Sequence, residues 1–100
     1  MNKEIIQTQL KKYISNTNII RKLRAEKKEG YKSLVNMYQW VLNLSASLLK
    51  DYKDKDEKLF FETVKEFNFI DQLQDANSYN VSQNNKIKKG NKAEICIVNI

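Results

Sequence analysis

Basic side chains are concentrated towards the two ends of the chain, where they could contact phosphate groups. Residues 1–32 carry nine basic and three acidic side chains, and residues 76–100 carry four basic and one acidic. A cation that neutralises a nucleic-acid phosphate releases bound counterions, so affinity falls steeply as salt is raised. The residues expected to bind nucleic acid are Lys11, Lys12, Arg21, Lys22, Arg24, Lys27, Lys28, Lys32, Lys86, Lys88, Lys89 and Lys92.

The two arginines strengthen the nucleic-acid interpretation of the N-terminal segment. Arg21 and Arg24 are the only arginines in a lysine-rich chain, and they lie three residues apart on one helical face. Arginine is better suited than lysine to bidentate contacts with phosphate or guanine. The alternative is a solvated surface, because Glu26 and Glu29 can form ion pairs with lysines at helical spacing.

An acidic segment, residues 51–75, supports a different function. It carries eight acidic and four basic side chains. Such a segment could mimic phosphate on the basic site of another protein, as in a phage-encoded inhibitor that is not itself an enzyme. The carboxylates of Asp51–Glu57 do not favour a metal site, because calcium loops need ligands at fixed positions and a glycine at the sharp turn.

The residue types that are missing exclude most catalytic and metal chemistry. The chain has no histidine, no proline and a single cysteine, Cys96. This composition excludes histidine bases, imidazole or thiolate zinc sites and intramolecular disulfides. Without a phosphate-binding or nucleophile motif either, we expect no enzyme and no cofactor. The unpaired cysteine and the absence of a visible signal peptide predict a cytoplasmic protein.

The elements that carry the basic residues are predicted to be helical. Residues 3–14 place apolar side chains at helical spacing, namely Ile6, Leu10, Tyr13 and Ile14. The polar residues 15–18 predict a break and offer caps to a second helix that begins near Ile19. Gly30 can end this second helix in the left-handed conformation.

Residues 31–52 give the strongest helical pattern. No charged residue lies between Lys32 and Lys50, and most of the helix circumference is apolar. Such a helix is typical of the middle of a bundle, so Trp40 is predicted to pack in the core. A membrane span is the alternative, but the uncharged run is at the short limit and its amide side chains would be costly in hydrocarbon.

The C-terminal half is predicted to contain one more helix and a β-hairpin. Asp54 or Asp56 can cap a helix over residues 57–70, which carries four phenylalanines. Residues 93–100 are β-branched and apolar, which indicates a strand. This strand would pair with residues 78–88 across a basic tip, or with the same strand of a second chain in a homodimer.

The sequence therefore predicts an α+β fold in a single domain, residues 1–100. About four helices would form a core over residues 1–75, and residues 76–100 would form the hairpin. Helices followed by a hairpin with a basic tip resemble a winged helix-turn-helix domain. That resemblance implies binding to double-stranded DNA. The expected function is thus a small DNA-binding protein of a plasmid or phage, such as a repressor, partition protein or relaxosome accessory protein.

Overall fold

Four helices form the described part of the molecule. The computed structural model describes residues 2–87, and its side chains up to residue 83. The helices are α1 (Lys3–Glu26), α2 (Tyr31–Lys55), α3 (Glu57–Glu66) and α4 (Ile70–Ile87). Helix α1 packs against each of the other three, and its contact with α2 is the most extensive.

Helix α1 is continuous, so the predicted break at residues 15–18 is wrong. The polar side chains of this stretch bond to their own helix, because Thr17 Oγ1 donates to the carbonyl of Tyr13 at 2.8 Å. Asn16 Nδ2 donates to the carbonyl of Lys12 at the same distance. Such bonds to the preceding turn satisfy serine, threonine and asparagine inside a helix.

The turn between α1 and α2 uses two residues in the left-handed conformation. Lys27 ends α1 with φ 49°, and its backbone N–H donates to the carbonyl of Leu23 at 3.0 Å. Gly30 follows with φ 81° at the start of α2. The left-handed conformation predicted for Gly30 is therefore confirmed, although Lys27 is the residue that ends the helix.

The long helix and the cap of the next helix agree with the predictions from the sequence. Helix α2 extends from Tyr31 to Lys55, close to the predicted range. Asp56 caps α3, because its Oδ1 accepts a hydrogen bond from the backbone N–H of Leu59 at 3.1 Å. Asp54, the other candidate cap, forms an ion pair with Lys50 instead.

The core lies between α1 and the other three helices. The predicted inward residues of α1, from Ile6 to Ile14, are buried. Helix α2 contributes Val35, Leu42 and Leu49. The remaining buried apolar residues are Ile20, Ala46, Phe60, Val64, Phe69, Leu73 and Ala76.

The α+β fold and the winged-helix resemblance are wrong for the described residues. Between residues 2 and 87 the chain is helical and contains no strand. Residues 78–87, predicted as the first strand of the hairpin, belong to α4, which packs its inward Leu73, Ala76, Asn77 and Asn80 at helical spacing. The basic tip around Gly90 and the final strand at residues 93–100 lie outside the described residues.

Trp40 does not pack in the core. Its side chain is 67% exposed, because α1 and α3 cover only one side of α2. Helix α2 therefore lies at an edge of the bundle, although its composition is that of a central helix.

Candidate nucleic-acid interface

The predicted N-terminal site residues fall into two groups. The exposed lysines are Lys11, Lys12, Lys22, Lys27, Lys28 and Lys32. Arg21 and Arg24 are only half-exposed and face α4. The lysines are therefore open to a ligand, whereas the arginines already have partners within the fold.

Both arginines bind Tyr79 of α4. The Arg21 guanidinium lies 4.9 Å from the centre of the Tyr79 ring, and its Nη1 donates to Asp75 Oδ2 at 2.7 Å. Arg24 Nη1 donates to the Tyr79 hydroxyl at 3.0 Å. These contacts hold α4 against α1, which is a structural role that the sequence did not reveal.

A cleft at the corner between α1 and α2 collects basic side chains. It has a volume of about 620 Å³, and Gln83 of α4 contributes to its wall. The other lining residues are Arg24, Lys27, Tyr31, Lys32, Val35 and Asn36. We call Arg24, Lys27 and Lys32 of this cleft, together with exposed Lys28 in the adjoining turn, the basic corner.

The start of α2 adds positive potential to this corner. The first N–H groups of a helix have no partner within it and carry the positive end of the helix dipole. Gly30, at the N-cap, has no side chain to accept from them, and the first turn of α2 as described holds no acidic residue. Anions bind favourably to such helix ends when cations surround them.

Two glutamates moderate the charge of the corner. Glu26 lies 3.7 Å from the ammonium of Lys28, in an exposed ion pair. Glu29 is exposed in the turn. An exposed pair of this kind contributes little stability. Lys27 and Lys32, which line the cleft itself, are the principal candidates for contact.

A second groove lies between α1 and α4. Its volume is about 480 Å³, and Lys11 and Lys22 are among its lining residues. They are separated by three turns of α1, about 16 Å at 1.5 Å per residue. Ile14, Ile19 and Phe69 also line the groove, so it is more apolar and less basic than the corner cleft.

The side chains of the C-terminal basic site residues are not among those that the structure describes. Lys86 belongs to the last turn of α4. Lys88, Lys89 and Lys92 lie outside the described residues, so the predicted basic hairpin tip stays a prediction.

The acidic segment is partly used within the fold. Glu66 accepts a hydrogen bond from the Lys3 ammonium, and this contact raises the pKa of Lys3 above its ordinary value of 10.5. Asp75 pairs with Arg21, and Asp56 caps α3. These three of the eight carboxylates in residues 51–75 therefore already have partners within the fold.

Within the described residues, neither a metal-binding cluster nor a membrane-spanning helix is present. Within residues 2–87, no group of three or more potential ligand side chains could hold a metal ion. Among the four described helices, none combines the length and apolarity that a membrane span requires. The membrane-span alternative for α2 is therefore not supported.

Sequence reasoning missed an exposed apolar surface on α2. Five large apolar side chains stand out from the bundle: Leu34, Met37, Trp40, Leu44 and Leu48. With half-buried Val41, we call this surface the apolar stripe. The signal was present in the apolar residues spaced three and four apart, but it could not distinguish an inner from an outer face.

Comparison with known proteins adds no assignment. No family model, curated protein or solved structure matches this chain.

Proposed function

We propose that this protein binds double-stranded DNA through the basic corner, with phosphates held in the cleft between α1 and α2. The observation that carries the proposal is the convergence of Lys27 and Lys32 on one cleft beside the start of α2, with Arg24, bonded to Tyr79, adding charge to its wall. A cytoplasmic location, where DNA is accessible in a bacterial cell, is part of the proposal.

The chemistry of the corner suits phosphate recognition. Lysine ammonium groups bind phosphates as point charges, and the N–H groups of a helix start donate to phosphate oxygens. Such contacts set position and affinity and carry no base sequence directly. The proposed activity is therefore salt-sensitive binding with little dependence on sequence from this site alone.

Phosphate mimicry by residues 51–75 receives less support. Asp56, Glu66 and Asp75 already bond within the fold, and Lys53, Lys55 and Lys58 lie among the acidic residues. A mimic of nucleic acid needs a continuous row of unpaired carboxylates.

Titration with duplex DNA at several salt concentrations tests the proposal. The triple variant Lys27→Gln, Lys28→Gln and Lys32→Gln should bind more weakly, and the salt slope should shrink by about 2.7, at about 0.9 per lost phosphate contact.

A matched control separates a local site from overall charge. Lys55→Gln, Lys58→Gln and Lys65→Gln remove the same charge from exposed positions elsewhere. This control should keep nearly the full salt slope. Equal loss in both triple variants, or no binding by the unaltered protein at low salt, would refute the proposed site.

A further inference from the structure

The apolar stripe has the spacing of a helix–helix seam. Leu34, Met37, Val41, Leu44 and Leu48 follow one another at intervals of three, four, three and four residues. This is the a/d pattern by which one helix packs against another in a coiled coil. A different side of α2, with Leu42 and Leu49, is already buried in the core. The pattern thus describes a second packing surface on the same helix.

The stripe is large enough to be unusual on a single chain. Apart from half-buried Val41, its members are 39% to 67% exposed, and Trp40 is the most exposed of them. From Leu34 to Leu48 it is about 21 Å long at 1.5 Å per residue. Contiguous apolar surfaces of this kind mark protein–protein contacts.

The absence of charge on the stripe makes a second copy of this chain a suitable partner. No charged residue lies between Lys32 and Lys50, so two molecules of net charge +6 can approach along this face without like charges meeting in its centre. A strongly acidic partner would gain nothing from an uncharged face. A self-complementary apolar surface is what a twofold dimer requires.

The charges at the ends of the stripe select an antiparallel arrangement. Asp51 follows Leu48 at the next seam position and is exposed. In a parallel pair, Asp51 would meet Asp51 of the other copy. In an antiparallel pair, the two Asp51 side chains lie at opposite ends of the seam, and the two helix dipoles are also opposed.

We propose that two copies of this protein form a homodimer by antiparallel packing of α2 on α2 along the apolar stripe. The twofold axis passes near Val41, so that Leu34 faces Leu48 of the other copy and Met37 faces Leu44. Two aromatic and aliphatic faces of this length bury on the order of 1,000 Å², the lower limit for a specific interface.

Sedimentation equilibrium of the full chain tests the dimer. The unaltered protein should be dimeric at micromolar concentration. Leu44→Glu should weaken the dimer roughly 100-fold or more, because two unpaired carboxylates would be buried. Asn43→Glu is the matched control, since it places the same charge on the exposed polar side of α2, and it should stay dimeric. Circular dichroism of both variants checks that the helices are retained.

A monomer at all concentrations would overturn the proposal. The competing occupant of the stripe is the apolar segment of residues 93–100 in the same chain. In that case the protein would be monomeric, and Trp40 fluorescence would be shielded from an ionic quencher. A dimer unaffected by Leu44→Glu would place the contact elsewhere and would equally overturn it.

Cysteine cross-linking tests the orientation. In a Cys96→Ser background, Val41→Cys should form a disulfide with its own copy at the twofold axis. Leu34→Cys should not cross-link with itself but should cross-link when mixed with Leu48→Cys. Self-cross-linking of Leu34→Cys would show parallel helices and overturn the antiparallel arrangement.

Discussion

Asn80 Nδ2 of α4 donates a hydrogen bond to Thr17 Oγ1 of α1 across 2.9 Å, and both residues are buried. The Thr17 hydroxyl donates in turn to the carbonyl of Tyr13, whose own hydroxyl donates to Asn77 Oδ1 at 3.2 Å. Two polar contacts therefore join α1 and α4 within the core. They specify the register, because sliding either helix would leave these buried groups without partners.

Thr17→Val should destabilise the protein. Valine keeps the shape but leaves the amide of Asn80 without this acceptor in a buried site, at a cost of about 1–3 kcal/mol. Urea unfolding measures the change. Thr8→Val is the control, because Thr8 makes the same type of bond to the carbonyl of Glu4 in an exposed position. A loss as large in Thr8→Val would show that helix propensity causes the effect.

The double variant Thr17→Val and Asn80→Leu should recover part of that stability. Removing both partners leaves neither polar group unpaired in the contact, and such replacements can be nearly neutral. A double-mutant cycle from the four unfolding free energies gives the coupling. Strictly additive losses would show that the bond contributes no coupling between the helices.

Arg21→Gln should lower stability without weakening DNA binding. The side chain contacts Asp75 and the Tyr79 ring, and we expect these partly exposed contacts to contribute about 1 kcal/mol together. Thermal unfolding and DNA titration of the same variant separate the two properties. Neighbouring Lys22→Gln should not change stability. A selective loss of DNA affinity in Arg21→Gln would show that the arginine leaves its partners to bind phosphate.

Asp56→Ala should destabilise α3. Its carboxylate accepts from the N–H of Leu59 at the helix start, and loss of such a cap costs about 1 kcal/mol. Chemical unfolding gives the difference from the unaltered protein. Asp54→Ala removes a nearby carboxylate that forms only a 3.8 Å pair with Lys50, and its effect should be much smaller.

The contact between Lys3 and Glu66 should be lost at high pH. Hydrogen bonding and charge attraction from Glu66 raise the pKa of Lys3 above 10.5 in the folded protein. The raised pKa means that the stabilisation is complete below about pH 10 and disappears as pH rises through the folded value. The difference in free energy of unfolding between the unaltered protein and Lys3→Met should therefore vanish in strong alkali. A difference that does not change with pH would contradict this assignment.

Sequence periodicity predicted the elements whose inward faces are large and apolar. The buried residues Ile6, Leu10 and Tyr13, the long helix α2 and the Asp56 cap all follow from spacing and residue type. Sequence periodicity did not predict helix α4, because the inward face of this helix includes Ala76, Asn77 and Asn80, which do not produce an apolar pattern. These amides are buried because α1 supplies partners 63 and 64 residues away in the chain.

The residue types of the candidate site could be predicted from the sequence, but which of these residues lie together in space could not. Lys27 and Lys32 were expected to bind phosphate, and the turn at Gly30 brings them to one cleft. The pairing of Arg21 with Asp75, 54 residues away, has no local signal. The exposure of Trp40 also could not be predicted from the sequence. An apolar helix has the same composition whether its second partner is another helix of the chain or another molecule.

The proposed twofold axis near Val41 determines how the protein would meet a duplex. Gly30 lies 11 residues before Val41, so the two basic corners of the dimer would be about 33 Å apart along α2, at 1.5 Å per residue. One turn of B-DNA measures about 34 Å. The two basic corners of the dimer would then contact backbone phosphates about one helical repeat apart on the same side of a duplex.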